Sequence, residues 1–307
     1  MTERLLVVNA DDFGLAPGIS RGILDAHDVG VVTSTSAMVT LPAWGVTSRM
    51  LQGATSSLGV GLHFDMLTGQ PLVADGTLVS NATGRFHTYP ELLRRIVSGR
   101  ISSVDVEREC GAQIARLRAS LMARGAAITH IDSHRHTHVL PVIAAGVRRA
   151  AERAGIDTIR YPVERLMRGT NQLGRARVVM LRALSSVQRS PPASLSRGFL
   201  GAAWQGDGDF PAHLLRISEH LNSPVTELMC HPGYVEDTLR QIDGFTLHRE
   251  LELGALCRSG LRDEWERAGI RLVNFGELRS GFHRKSAEPD KDNDPHHKAW
   301  DRADAIR

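Results

Sequence analysis

Two adjacent acids, Asp11 and Asp12, stand directly after the apolar run Arg4-Leu5-Leu6-Val7-Val8-Asn9-Ala10 and before Phe13-Gly14. A strand ending there sets two carboxylates at the rim of a sheet, where α/β proteins place their chemistry. Side by side they repel, so one needs a cation or a proton unless both face water. Ligands for a cation recur farther along. His63 closes the run Leu58-Gly59-Val60-Gly61-Leu62, and His231 closes the run from Val225 to Cys230. The segment Asp132-Ser133-His134-Arg135-His136-Thr137-His138 spaces its histidines at i, i+2 and i+4. A carboxylate with two imidazoles is a common divalent-metal donor set that leaves room for water and substrate. A second carboxylate beside it can act as general base, and an imidazolium can protonate a leaving group.

Each element also has a plainer reading. An Asp pair after a strand serves as a turn or a helix cap, and a lone His63 or His231 can be a hydrogen-bonded histidine at a sheet edge. The histidine run resists a packing explanation. In an extended segment all of its histidines share a face, and in a helix His134 and His138 do. Spacing does not choose the ligand among them. Arg160, before Tyr161-Pro162, is either a surface residue or the partner that orients a site carboxylate.

The elements that must position these groups alternate strand-like and helix-like. Pro17 starts a helix with Ile19, Ile23 and Ala26 on one face and Gly30 at its end. Strands are expected at Val31 to Val39, Leu58 to Leu62, Ile128 to Ile131, Thr158 to Tyr161, Val225 to Cys230 and Arg271 to Asn274. Helices are expected at Pro42 to Gly53, Val104 to Arg124, and Pro141 to Ala154 with Gly155 as cap. Repeated βα units imply a mostly parallel sheet with right-handed crossovers. Polar candidates at the ends of several strands favour a closed α/β barrel, TIM-barrel-like, over an open sheet. No glycine-rich phosphate motif follows the first strand, which counts against a nucleotide-binding sheet. Gln70 to Tyr89 is expected as a loop over the site, and Arg165 to Gln205 as a partly helical excursion or lid. Residues 1–284 form the expected domain, and the charged tail 285–307 is expected to be disordered.

Bulk composition narrows the function classes. With 307 residues, 42% of them hydrophobic, the chain has ample material for a core. Lys+Arg number 37 against Asp+Glu 34, a net charge of +3, so no polycationic face argues for nucleic acid. Cys110, Cys230 and Cys257 are scattered with no CxxC, which fits a reducing compartment. No signal-like N-terminal run and no membrane-spanning stretch stand out, so a cytoplasmic protein is expected.

The motifs Asn9-Ala10-Asp11-Asp12-Phe13-Gly14, Gly61-Leu62-His63, Thr129-His130-Ile131-Asp132-Ser133-His134-Arg135-His136 and Met229-Cys230-His231-Pro232-Gly233-Tyr234 stand in the order seen in the YdjC-like carbohydrate deacetylases. Val32-Thr33-Ser34-Thr35-Ser36 and Thr68-Gly69-Gln70-Pro71-Leu72 also resemble that family's flanking blocks. The resemblance, from about Arg4 to Phe275, implies a distorted βα barrel that removes an acetyl group from an N-acetylated sugar. It implies Asp12, His63 and His134 as metal ligands, Asp11 as general base and His231 as general acid. His136 and Arg160 would contact substrate. It further implies one divalent ion, Mg2+ by family habit, although two imidazoles suit Zn2+ or another transition metal equally. A homodimer is a further expectation. Two other readings use the same residues: a metal-dependent hydrolase of a different amide or ester, and a sugar-binding protein without turnover.

Overall fold

In a computed structural model the chain is described over residues 3–54, 56–123, 125–167, 170–187, 196 and 198–280. The first strand, β1 (Arg4–Phe13), is the axis of the molecule. Leu6, Val8 and Ala10 join the main apolar core, whereas Val7 packs with Val273, Phe275 and Leu278 on the other face. That alternation is the period-2 signature of a strand, and burial on both faces is what a parallel sheet requires.

The remaining strands are β2 (Ser34–Ala37), β3 (Gly59–Phe64), β4 (Ile128–Ser133), β5 (Gly198–Leu200), β6 (Val225–Cys230) and β7 (Ile270–Leu272). They form one parallel sheet in the order β4-β3-β2-β1-β6-β5, with β7 also on β1. One edge of β1 is shared: β7 pairs Arg4–Leu6 and β2 pairs Asn9–Phe13. Beyond β4, Ile159 adds a single parallel bridge to Ile131. The strand expected at Thr158 to Tyr161 stops there, because Pro162 has no N–H to extend a ladder. The expected Val31 to Val39 strand shortens similarly, since the Val32 N–H is spent on the Ala26 carbonyl at the end of the first helix.

The sheet curls. From Ile159 to β6 is five ladder steps, about 24 Å if the sheet were flat. Yet Arg160, one residue past that bridge, hydrogen-bonds Glu227 of β6 at 2.8 Å. The expected barrel is thus a curled half-barrel whose concave side holds the polar candidates.

Helices cover the outside: α1 (Pro17–Asp28), α2 (Trp44–Gly53), α3 (Tyr89–Val97), α4 (Ser103–Met122), α5 (Pro141–Ala154), α6 (Gln172–Ser186), α7 (Phe210–Leu215), α8 (Ile217–His220), α9 (Asp237–Arg240), α10 (Leu247–Leu256) and α11 (Leu261–Arg267). In α4, Cys110, Ile114, Leu117 and Leu121 face the core as their spacing predicts. Gly155 ends α5 at φ 68°, a left-handed cap that glycine adopts without strain.

The segment expected as a loop over the site lies elsewhere. Asp105 accepts from Thr77 N and Glu109 from Leu72 N and Val73 N, while Gln113 bonds both the backbone N–H and carbonyl of Asp65. These residues form one i, i+4, i+8 stripe of α4, which straps the loop to the helix. Of Gln70 to Tyr89, only Tyr89 lines the cleft. The Arg165 to Gln205 excursion becomes α6 and β5 and does reach it. Tail residues 285–307 lie outside the described residues. Among the described residues, no helix is long and apolar enough to cross a membrane.

Candidate active site

Neighbouring residues of a strand point to opposite faces, so Asp11 and Asp12 should not share a cleft. The backbone breaks that rule at this point. Register shifts between Ala10 and Phe13 against β2, and Asp12 takes a left-handed φ of 73°. Asp tolerates that conformation better than most residues. Both carboxylates therefore line one cleft of about 350 Å³, with His63, His134, His136 and His231. A second irregularity, in β4, lets Ile128 and Ile131 both enter the apolar core while His130 and Asp132 turn inward. The His130 ring fills the space over Gly61, where a Cβ would lie 2.3 Å from its Cε1.

Asp12, His63 and His134 converge. Asp12 Oδ1 lies 3.2 Å from His63 Nε2 and 3.1 Å from His134 Nδ1. Their ligand atoms all fall within 4.8 Å of one another. Bonds of about 2.1 Å to a common ion place neighbouring donors near such separations. The outer nitrogen of His63, Nδ1, is 2.7 Å from Asp132 Oδ1, its register partner on β4. A carboxylate behind a histidine in this way fixes which nitrogen faces a metal. One carboxylate and two oriented imidazoles therefore fit a divalent cation. A second acidic group, Asp11, His63 and Asp132, shares His63. Its carboxylates are already bridged by an internal cation, Arg160.

Arg160, expected against substrate, is buried and does not line the cleft. Nη1 and Nη2 donate to the two oxygens of Asp11 at 2.7 Å each, a bidentate clamp. The same guanidinium meets Asp132 and Glu227 at 2.8 Å. Asp11 Oδ1 also accepts from Asn9 Nδ2 at 2.9 Å and Ser36 Oγ at 3.3 Å. Among the described residues Oδ2 accepts only from Arg160 and is the freer oxygen.

The charges follow from this web. Burial acts against ionised Asp12, but Arg249 and the two histidines outweigh it and hold its carboxyl well below the usual range. Burial also opposes the imidazolium of His63, yet Asp132 and Asp11 raise it to about 10, a metal-free state that a cation would replace. Glu227, pushed up by burial against the pull of Arg160, reaches about 7. His231 is lowered to about 4 by burial, with Asp11 and Asp12 opposing the shift.

The other histidines separate by role. His231 is set beside Asp11 because β6 pairs Cys230 with Ala10. His136 lines the cleft at a left-handed φ of 52°, edge-on to Phe199. His138 turns away, its Nδ1 2.6 Å from Ser133 Oγ and its Nε2 3.1 Å from the Arg160 carbonyl oxygen. It braces the turn.

Sequence reasoning missed two residues of α10. Arg249 Nη2 donates to Asp12 Oδ2 at 2.7 Å, and Glu252 accepts the His231 backbone N–H at 2.5 Å. At i and i+3 on one face, this helix braces both ends of the site. The available signal was a charged pair on the same buried face as Leu253 and Leu256. Arg177, Met180, Gln205 and Phe245 complete much of the cleft wall.

A family model described as YdjC-like protein matches residues 5–267. A carbohydrate deacetylase of Brevibacillus brevis is 32% identical over 276 residues, 89% of this chain and 99% of the relative. A chitooligosaccharide deacetylase of Serratia marcescens is 32% identical over 276 residues, 90% of this chain and 100% of the relative. Among solved structures, an Enterococcus faecalis protein described as a cellobiose-phosphate cleavage protein superposes with TM-score 0.70 at 23% identity. It covers 90% of this chain and 99% of that one, a likeness of fold.

Proposed function

Because this chain belongs to the YdjC-like family, we propose that it is a carbohydrate deacetylase, a hydrolase that removes acetyl from an N-acetylated sugar. The observation that carries this reading is the convergence of Asp12, His63 and His134 beside a separately clamped Asp11. Asp12, His63 and His134 would hold one divalent cation, which when bound polarises the acyl carbonyl and makes a water more acidic. The donor set suits Mg2+ less specifically than Zn2+ or another transition metal.

The protein groups divide the remaining work. Asp11 takes the proton of the attacking water at Oδ2, while the Arg160 clamp keeps that carboxylate aimed into the cleft. Cleavage of the C–N bond leaves an amine that needs a proton. His231, beside Asp11, is the donor to that nitrogen. Its imidazole is held neutral at rest, so it first receives from Asp11 the proton taken from water and then passes it to the nitrogen as the C–N bond breaks, and the acetic acid formed ionises in water. Acetate and the free amino sugar leave. His136 on the cleft wall contacts the sugar, whereas Arg160 acts through Asp11.

The test is acetate release from N-acetylated mono- and oligosaccharides, run beside acetylated amines and simple esters. Release from sugars, abolished by chelator and restored by added metal, is the expected result. Preference for non-sugar amides or esters, or undiminished turnover under chelator, would overturn it.

A further inference from the structure

Arg249 carries more donors than the protein uses. Its guanidinium is 1% exposed. Nε donates to the Phe245 carbonyl at 2.8 Å, and Nη2 to Asp12 Oδ2 at 2.7 Å and Asp243 Oδ2 at 2.9 Å. The Phe245 ring stacks against its Cζ at 5.2 Å. Nη1 is buried with no hydrogen-bond partner among the described residues, and its two N–H groups are a large omission for a fully charged group. The residue nevertheless lines the same cleft as Asp11, Asp12 and His231.

Its hold on Asp12 is also directional. Oδ1 faces both histidines, whereas Oδ2 faces Arg249. A cation held by His63 and His134 would thus meet one oxygen of Asp12 rather than both.

We infer that Arg249 has a double task in the proposed reaction: it keeps Asp12 presenting a single oxygen to the histidine pair, and it donates from Nη1 to an oxygen of the substrate at the scissile acetamide. This deepens the deacetylase reading and rests on it. An acyl oxygen gains negative charge as water adds, and a fixed guanidinium N–H in a buried site favours that charge over the ground state. Asp243 and Phe245 are positioning residues for Arg249.

The experiment compares full-length native protein with R249M, R249K and D243N. Each is chelator-treated, titrated with Co2+, and assayed for acetate release from N-acetylglucosamine oligomers. All should bind one Co2+ per chain. The visible absorption of bound Co2+ should change in R249M and least in R249K, because Asp12 is freed to turn. In R249M, kcat should fall about 100-fold with KM altered less, the usual scale for one oxyanion donor. R249K should recover part of that loss and D243N should fall between. A native Co2+ spectrum together with native kcat in R249M overturns the inference. If R249M does not fold, the same native result in D243N does so. If native protein releases no acetate from any sugar, the deacetylase reading fails, while the Co2+ spectra still decide whether Arg249 sets Asp12.

Discussion

Asp12 follows Asp11 directly, yet both carboxylates face one cleft because Asp12 sits at φ 73°. That backbone favours small polar residues, so two substitutions that both remove the charge should differ. Asp12→Asn tolerates the left-handed conformation, whereas Asp12→Ala adds about 1–2 kcal/mol of strain. Urea melts of the metal-free variants should place D12A below D12N by at least that amount, since Asn also keeps an acceptor for Arg249. Equal midpoints would show that the conformation costs nothing here.

Asp11 is not one of the three donors that converge at Asp12, so its loss and theirs should have different effects. Asp11→Asn should keep metal binding and lose turnover by about 10²- to 10⁴-fold, the range for a general base. His63→Ala should lose metal first, with activity following. Metal content after dialysis, measured beside kcat, checks both. A fully active D11N would remove Asp11 from the role of base.

Stability against pH should carry the mark of Glu164. This carboxyl is raised to about 7 by burial, against the N–H groups of Ala203, Gly201 and Ala202. A group raised on folding contributes stability that is full below its unfolded value near 4.5 and is lost as pH rises through about 7. Glu164→Gln mimics the protonated form and lacks this dependence. Its Tm relative to native should therefore be higher at pH 8 than at pH 5. A pH-independent difference would place Glu164 outside the transition.

Gly61 and His130 should behave as a coupled pair. The ring lies where a Cβ of residue 61 would be, 2.3–2.5 Å away. Gly61→Ala should cost about 1–3 kcal/mol by overpacking. In the double variant with His130→Ala the cost should be less than the sum, since the clash is gone. Strict additivity in a denaturation cycle would refute the contact.

Much of the site was readable because parallel strands gather their C-terminal ends on one side. Asp12, His63, His134 and His231 follow four separate apolar runs, and those runs are strands. What strand periodicity could not supply was direction. Nothing in the alternation of β1 says that Asp12 turns back toward Asp11, since that depends on a single dihedral. Arg160 was visible as a possible partner of a site carboxylate, but burial decided that it supports Asp11 from beneath. Arg249 and Glu252 were hidden because they come from a helix, where a charged pair usually marks solvent. The strapped loop was hidden for a related reason: Asp105, Glu109 and Gln113 look like a wet face of α4 until the loop is laid over them.

The half-barrel leaves a seam. On one side the pairing ends at Ile159, on the other at β5, and no strand pairing is recorded between these edges among the described residues. The chain that links them supplies Arg177, Met180 and Leu181 to the cleft wall. Length and composition around α6 can therefore drift without unzipping the ladder beneath Asp11 and Asp12 or moving Arg160. A chimera that exchanges only α6 between relatives should trade sugar preference while inheriting the reaction unchanged.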